Sequence, residues 1–417
     1  MQTLLKRAGA WTMAGVLGLQ DAAHAQAVSL DSLLSAHTYS ISYDRGVLAG
    51  DGLKALSGMI EGSQFVALGE EHNTRAIPRF TTALFRVLRE NHGFQYLALE
   101  EGPYIGRLLS AAARTGGHDS VMALARRHAN AFHMYTEEEL EMAAEVGRSS
   151  AESVEPIWGV NQEFGASHVL ERLTLLAPND SARARAQQLL ARAQQYEAER
   201  FQENVHYLAA VARADDFAEL RDSFIPSAGS EADVLLTQLE LSRRIYAPFA
   251  MRPAPPIQAF HRSGQERERH MKQLLSERLR EAQRRTAKVP RVLVKSGHLH
   301  LYRGHSERTE LLTLGNFLAE LAIFNGFRST HLYATVDRPY VRDGWLAPFV
   351  RAAPAGMDAL IDLRDLQPLA ARNRIADLSP QVRRLILAYD AVLVFRDSAQ
   401  GSLDRLRTAR FRWYPGS

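Results

Sequence analysis

The chain of 417 residues contains no cysteine. That one absence excludes disulfide bridges, thiolate metal sites and a cysteine nucleophile. It does not fix a compartment, because an exported protein can dispense with bridges. Long apolar runs are missing as well. The longest, AGAWTMAGVLGL near the N-terminus, has a dozen residues, against the roughly 20 that a bilayer-spanning helix needs. A stable membrane anchor is therefore not expected. Nor is charge of one sign in excess: Lys and Arg total 50, Asp and Glu 47, a formal balance of +3. Most arginines fall on predicted helices, interleaved with acids, which marks solvated faces rather than a nucleic-acid footprint. There is no internal repeat and no low-complexity tract. With 46% hydrophobic and 23% charged residues the composition is globular. This length accommodates one large domain or a core with an inserted subdomain.

What is present begins with the N-terminus. MQTLLKR is a short basic opening, the apolar run comes next, and Ala23-His24-Ala25 puts small residues at both positions a signal peptidase reads. This is the secretory pattern. Residues 1–25 are expected to be a cleavable signal peptide. Residues 26–417 are expected to be a single domain, periplasmic or secreted.

Seven short apolar runs recur between helical patterns: Phe65–Leu68, Tyr96–Leu99, Ile157–Val160, Val292–Val294, Leu332–Val336, Ala359–Ile361 and Ala391–Phe395. Each is nearly continuous in apolar residues, as strands covered on both faces should be. Between the first two, Ile77, Phe80, Leu84, Phe85 and Leu88 share one helical face, and Pro78 suits a first turn. Strand, helix and strand with short links make a βαβ unit with a right-handed crossover. The stretch from about Ser181 to Leu241 is rich in Ala, Gln, Glu, Arg and Leu and holds no strand-like run. It predicts one or two long amphipathic helices. YAPFAMRPAPPIQAF, residues 246–260, predicts an irregular break, with a helix after it over about Gly264 to Ala287. The fold class expected is α/β, with a mostly parallel central sheet flanked by helices and an inserted helical subdomain.

In such a sheet, ligands sit beyond the carboxyl ends of the strands. Just past the first run stand Glu70, Glu71, His72, Asn73 and Arg75, and past the second Glu100 and Glu101. Past the third stand Asn161, Gln162 and Glu163, and past the fourth Lys295, Ser296, His298 and His300. Four strands thus deliver acids, imidazoles and amides to one edge. The chemistry this supports is proton transfer, since a positioned imidazole takes a proton from water and a carboxylate on its other nitrogen fixes the tautomer. Two His and several Glu also suit a divalent metal. One of Glu70 and Glu71 is expected to point inward. His298 and His300 face one side if the strand continues. His118, His128, His133, His206 and His305 have no converging partners in the sequence and read as surface or core histidines. Arg262, Arg267 and Arg269, with Glu266 and Glu268, read as a solvated helix face from which an arginine could reach an anionic or polar substrate.

The order LGEEH, LALEEGP, WGVNQE, RERHMKQLL, VLVKSGHLH and YDAVLVF, from about Phe65 to Phe395, resembles the erythromycin esterase-like family, itself related to the Tiki-like and haem-uptake proteins. The resemblance implies an α/β core with a helical insertion, here about 170–285, and water activation without a metal. By motif position it implies catalytic roles for Glu70, His72, Glu100 and His298. Two departures stand out. The family spaces its first Glu and His three apart, whereas Glu70 and His72 are two apart. Its His-x-x-His becomes Lys295-Ser296-Gly297-His298, which puts macrolide cleavage in doubt.

The expectation is therefore an exported hydrolase acting on an ester or amide of a small to medium-sized molecule, with no cofactor. His72 is the general base, oriented by Glu70 or Glu100, and His298 the second acid–base group. Lys295 is expected to stabilise an oxyanion. With Glu71, Arg75, Glu101, Asn161 and His300 it would contact substrate. Two alternatives accompany this reading: a haem or divalent-metal carrier using His72 with His298 or His300, and a degenerate member that binds without turnover.

Overall fold

The computed structural model describes residues 27–44, 46–128, 131–133, 136–150, 155–199, 207–306 and 309–403. The expected signal peptide and His206 lie outside them. Among the described residues no helix is long and apolar enough to cross a membrane.

Eight strands form the central sheet. In chain order they are β1 (Thr38–Ser40), β2 (Ser63–Glu70), β3 (Tyr96–Leu99), β4 (Ile157–Gly159), β5 (Val292–Gly297), β6 (Arg328–Val336), β7 (Ala359–Asp362) and β8 (Ala391–Phe395). Their spatial order is β1-β7-β8-β6-β2-β5-β3-β4. The six strands from β8 to β4 pair in parallel, while β7 is antiparallel to both its neighbours. The sheet is thus mostly parallel, and the fold is α/β as expected.

The near-continuous apolar character of the strands has a direct cause. Alternate residues point to opposite faces, and both faces are covered. Val66, Leu68, Leu97, Leu99, Leu293 and Leu332 join one buried cluster. Phe65, Ala67, Ala98, Val292, Val294 and Tyr333 join the other. The first face is covered by α1 (Ala76–His92), α2 (Pro103–Arg127) and α3 (Glu137–Arg148). On α1 the predicted stripe Ile77, Phe80, Leu84, Phe85 and Leu88 is buried, each side chain stabilising by about 1.5–3 kcal/mol.

Between β4 and β5 the described elements are all helical, including α4 (Ser167–Leu176), α5 (Asp180–Ala198), α6 (Ala214–Phe224), α7 (Glu231–Ala250) and α8 (Ile257–Thr286). The first four enclose a core of their own, with Val169, Leu170, Leu189, Phe217, Leu235 and Leu239 at its centre. α8 instead packs Met271, Leu275 and Leu279 on the sheet.

Three expectations are corrected. The break over 246–260 narrows to residues 251–256, because α7 runs through Pro248 to Ala250 and α8 begins at Ile257. Pro248 lies in the last turn of α7, so its missing N–H and its ring disturb only the end of the helix, and Pro256 has the fixed φ that suits a helix start. β5 continues past Val294 to Gly297, so Lys295 and Ser296 belong to the strand and are buried. β1 has no counterpart among the apolar runs: TYS is a half-buried edge strand.

The close approach of α2 to β4 requires glycine on both sides. A β-carbon on Gly106 would lie 2.3 Å from the Gly159 nitrogen, and one on Gly159 only 1.9 Å from the Gly102 oxygen. A mid-helix Gly→Ala change ordinarily stabilises by about 0.5–1 kcal/mol. Gly106→Ala should instead destabilise by about 1–3 kcal/mol in urea unfolding, because the obstacle is backbone. Gly58→Ala, whose β-carbon meets nothing within 4 Å, should show the ordinary gain.

Candidate active site

Parallel pairing sets the site's level. The register places Glu70 opposite Gly297 and Leu99 opposite Lys295, so the ends of β2, β3 and β5 finish side by side. Glu70 closes β2, Glu100 comes directly after β3, and His298 directly after β5. Beyond β2 the chain turns at Asn73, whose φ of 62° is a left-handed conformation that asparagine tolerates. That turn brings His72 back over the strand ends. Gly297 makes room for it: a β-carbon there would sit 2.8 Å from His72 Nε2.

Two carboxylates organise the imidazoles. Glu70 Oε1 lies 3.1 Å from His72 Nδ1, and its other oxygen is 2.6 Å from the Lys295 ammonium. Lys295 also donates to Glu139 at 2.8 and 3.1 Å. Glu100 Oε2 accepts from Ser296 Oγ at 2.7 Å and from the Gly297 nitrogen at 2.6 Å. Its Oε1 accepts from Arg267 at 2.6 Å and lies 3.3 Å from His133 Nε2 and 3.5 Å from His300 Nε2. His72 Nε2 is 3.8 Å from Glu100 Oε2. His300 Nδ1 is 2.5 Å from Glu268 Oε1, which fixes that ring in turn.

The charges are set by these contacts. Burial pushes Glu100 up, but His133, His300 and Arg267 outweigh it and hold the carboxyl well below the usual range. Burial likewise opposes ionisation of Glu70, and Lys295 and the bond to His72 bring it below its ordinary value. One buried ammonium cannot fully serve two carboxylates, and burial pushes Glu139 up to about 7. Burial alone would lower His72, yet the hydrogen bond to Glu70 and the charges of Glu100 and Glu70 raise it above ordinary imidazole. His133 goes the other way: burial lowers it to about 4 despite nearby Glu100.

These groups open into a cavity of about 650 Å³. Glu70, Glu71, His72, Glu100, His298 and His300 all line it, with Tyr333, Tyr340, Trp345 and Leu346 as an apolar wall. Glu70 is buried and Glu71 partly exposed, but both face the cavity. Glu71 accepts from Thr335 at 2.8 Å and Tyr340 at 3.1 Å. β5 does not continue through the histidines; His298–His300 is a single 3₁₀ turn. His298 Nδ1 sits 3.3 Å from the Glu70 carbonyl oxygen and its ring packs on Tyr333.

Four expected substrate contacts are placed elsewhere. Arg75 forms a two-pronged pair with Asp397 at 2.8 and 3.0 Å, off the cavity. Glu101 and Asn161 are buried behind the lining, where Glu101 accepts from the His133 nitrogen at 3.1 Å and Asn161 from Arg267 at 3.2 Å. Lys295 is wholly buried between Glu70 and Glu139; extension of β5 to Gly297 turned it inward. It anchors Glu70 and cannot meet a substrate oxyanion.

Three residues set aside in the sequence belong to the site: His133, Arg267 and Glu268. His133 succeeds no strand, so a search of strand ends passes it by. The other two carried a signal. Glu268 shares the helical stripe of Met271, Leu275 and Leu279, and Arg267 that of Met271 and Leu274, so neither lies on a purely solvated face.

No protein-family model matches the sequence, and no curated protein matches it. Solved structures do. A Bacillus cereus protein superposes with a TM-score of 0.55 at 14% identity, covering 89% of this chain and 98% of that one. A succinoglycan biosynthesis protein gives 0.55 at 13% identity, covering 89% and 97%. A mutant of erythromycin esterase in its open conformation gives 0.50 at 12%, covering 84% and 95%. The relationship implied by the motif order therefore holds at the level of the fold, over most of each chain.

The Lys295 cluster yields a stability prediction. Lys295→Ala leaves two buried carboxylates without their cation and should cost about 3–5 kcal/mol in denaturant unfolding at neutral pH. Losing the ammonium raises both carboxyl pKa values, so protonation relieves the penalty in acid. The gap to wild type should narrow as pH falls, which unfolding midpoints measured across pH 5 to 8 would reveal.

Proposed function

We propose that the protein is an exported hydrolase that uses His72 to activate water against an ester or amide carbonyl of a small to medium-sized substrate. The observation that carries this is the placement of His72: Nδ1 tied to Glu70 at 3.1 Å, Nε2 turned toward Glu100 at 3.8 Å, and the ring 37% exposed to the cavity. The Glu70 bond sets the tautomer with its proton on Nδ1, which leaves the Nε2 lone pair to accept a proton from water. Glu100 lies within reach of the same water and steadies the imidazolium that forms.

His298, in the same lining, serves as the second acid–base group and returns a proton to the departing oxygen or nitrogen. With Lys295 buried, the positive charge for a developing oxyanion is Arg267, held by Glu100 and Asn161. The wall of Tyr333, Tyr340, Trp345 and Leu346 suits an apolar or ring-bearing acyl portion. The reaction in this form draws on side chains alone. The secretory pattern of residues 1–25 supports export.

Hydrolysis of a panel of chromogenic esters tests the proposal. His72→Ala and Glu100→Gln should each lower kcat/KM by about 10²–10⁴-fold. Wild-type rates in both variants would remove the assignment. The pH profile adds a second check. His72 must be neutral to act, and its carboxylate neighbours raise its pKa. The rate should therefore climb with pH through a value above the roughly 6.5 of free imidazole. Glu70→Gln removes the negative charge and leaves at most a neutral amide oxygen as acceptor, so that limb should move to lower pH while the plateau falls.

A further inference from the structure

We propose that His72, Glu100 and His133 form a binding site for a divalent cation of the zinc class, and that a cation in this site and proton transfer by His72 exclude one another. The second half rests on the hydrolase reading; the binding site does not.

The three residues each offer one ligand atom within 4.8 Å of the others. The Glu100 carboxylate stands between the two imidazoles, with Oε1 3.3 Å from His133 Nε2 and its other oxygen, Oε2, 3.8 Å from His72 Nε2. Tetrahedral zinc with bonds of about 2.0–2.2 Å holds its ligands roughly 3.3–3.6 Å apart. With a single Glu100 oxygen as ligand, separations that now lie within 4.8 Å must close by up to about 1 Å, through small side-chain rotations, to complete such a set.

His133 is the second, independent pointer. Both of its ring nitrogens are buried, yet among the described residues neither has a hydrogen-bond partner. The Glu100 contact is close but poorly aligned. A buried imidazole whose close polar neighbour, Glu100 at 3.3 Å, makes no well-formed hydrogen bond with it needs an explanation, and a missing ligand supplies one. The outer contacts also fit. His72 has its other nitrogen fixed by Glu70, the carboxylate–histidine arrangement that orients metal-bound imidazoles. The Glu101 carboxylate accepts from the His133 backbone nitrogen and fixes that loop. Two nitrogens and one oxygen favour zinc, cobalt or nickel over magnesium or calcium. The cavity leaves the remaining positions open to water or a ligand.

Arg267 works against the cation. Its guanidinium holds Glu100 Oε1 at 2.6 Å, which places a fixed positive charge on a ligand. The site is therefore weaker than a closed structural zinc centre, and its occupancy is adjustable. A metal on Nε2 takes the lone pair that would accept a proton from water, so a loaded chain is a silenced one.

The test uses purified full-length chain stripped with a chelator and titrated with Zn²⁺ against a chromophoric competitor. One zinc per chain is expected, with no displacement by Mg²⁺. His133→Ala should weaken zinc by about tenfold or more, whereas Arg267→Ala should tighten it. Circular dichroism confirms that each variant is folded. Chromogenic ester hydrolysis should fall in step with occupancy, and His133→Ala, scaled to its own zinc-free rate, should need correspondingly more zinc. No bound zinc, or affinity unchanged in both variants, overturns the site. Zinc that binds and raises the rate overturns the exclusion. Absence of hydrolysis in every form would sink the enzyme reading, while the titration still decides the site.

Discussion

The site depends on one buried carboxylate. Glu100 accepts from a side chain and a backbone nitrogen of β5 and from an arginine of α8. It thereby joins the end of β3, the end of β5 and the long helix. Three imidazoles stand within 4 Å of it. A charge this deep persists only because donors surround it. The same donors fix where His72, His133 and His300 can stand, so folding and chemistry draw on one set of contacts.

Behind it lies a second polar knot, Lys295 with Glu70 and Glu139. It occupies the strand interior, where a hydrophobic residue would ordinarily pack. Its effect on the site is indirect: it charges Glu70, and Glu70 sets the His72 tautomer. A lysine stands at the position where the resemblance in motif order implies a histidine. The residue turned inward and became part of the foundation.

The sheet is legible in the sequence because burial on both faces leaves runs of apolar residues that no other element mimics. The runs Tyr96–Leu99 and Ala391–Phe395 match their strands to the residue. The rim is legible for the same reason, since parallel strands must finish together. Glu70 is the last residue of its strand, and His72, Glu100, His298 and His300 occupy the few positions just beyond a strand's carboxyl end. Contacts made from elsewhere leave no such mark. His133 arrives on a loop after a helix, and only the three-dimensional path brings it to Glu100. Lys295 misleads for a subtler reason: a charged residue reads as the end of a strand, and the two acids that let it stay inside are about 156 and 225 positions away in sequence. Glu268 and Arg267 are readable in principle, because a charge on an apolar helical stripe is a question in itself.

The four helices α4 to α7 close a core of their own, separate from the two that cover the sheet. Their packing can drift without disturbing the strands. Among the described residues between β4 and β5, it is Arg267 of α8 that reaches the cavity lining. Descendants of this fold can therefore remodel the outer helices while inheriting an unchanged cavity, whose lining comes from the strand ends, α8 and the segments around them.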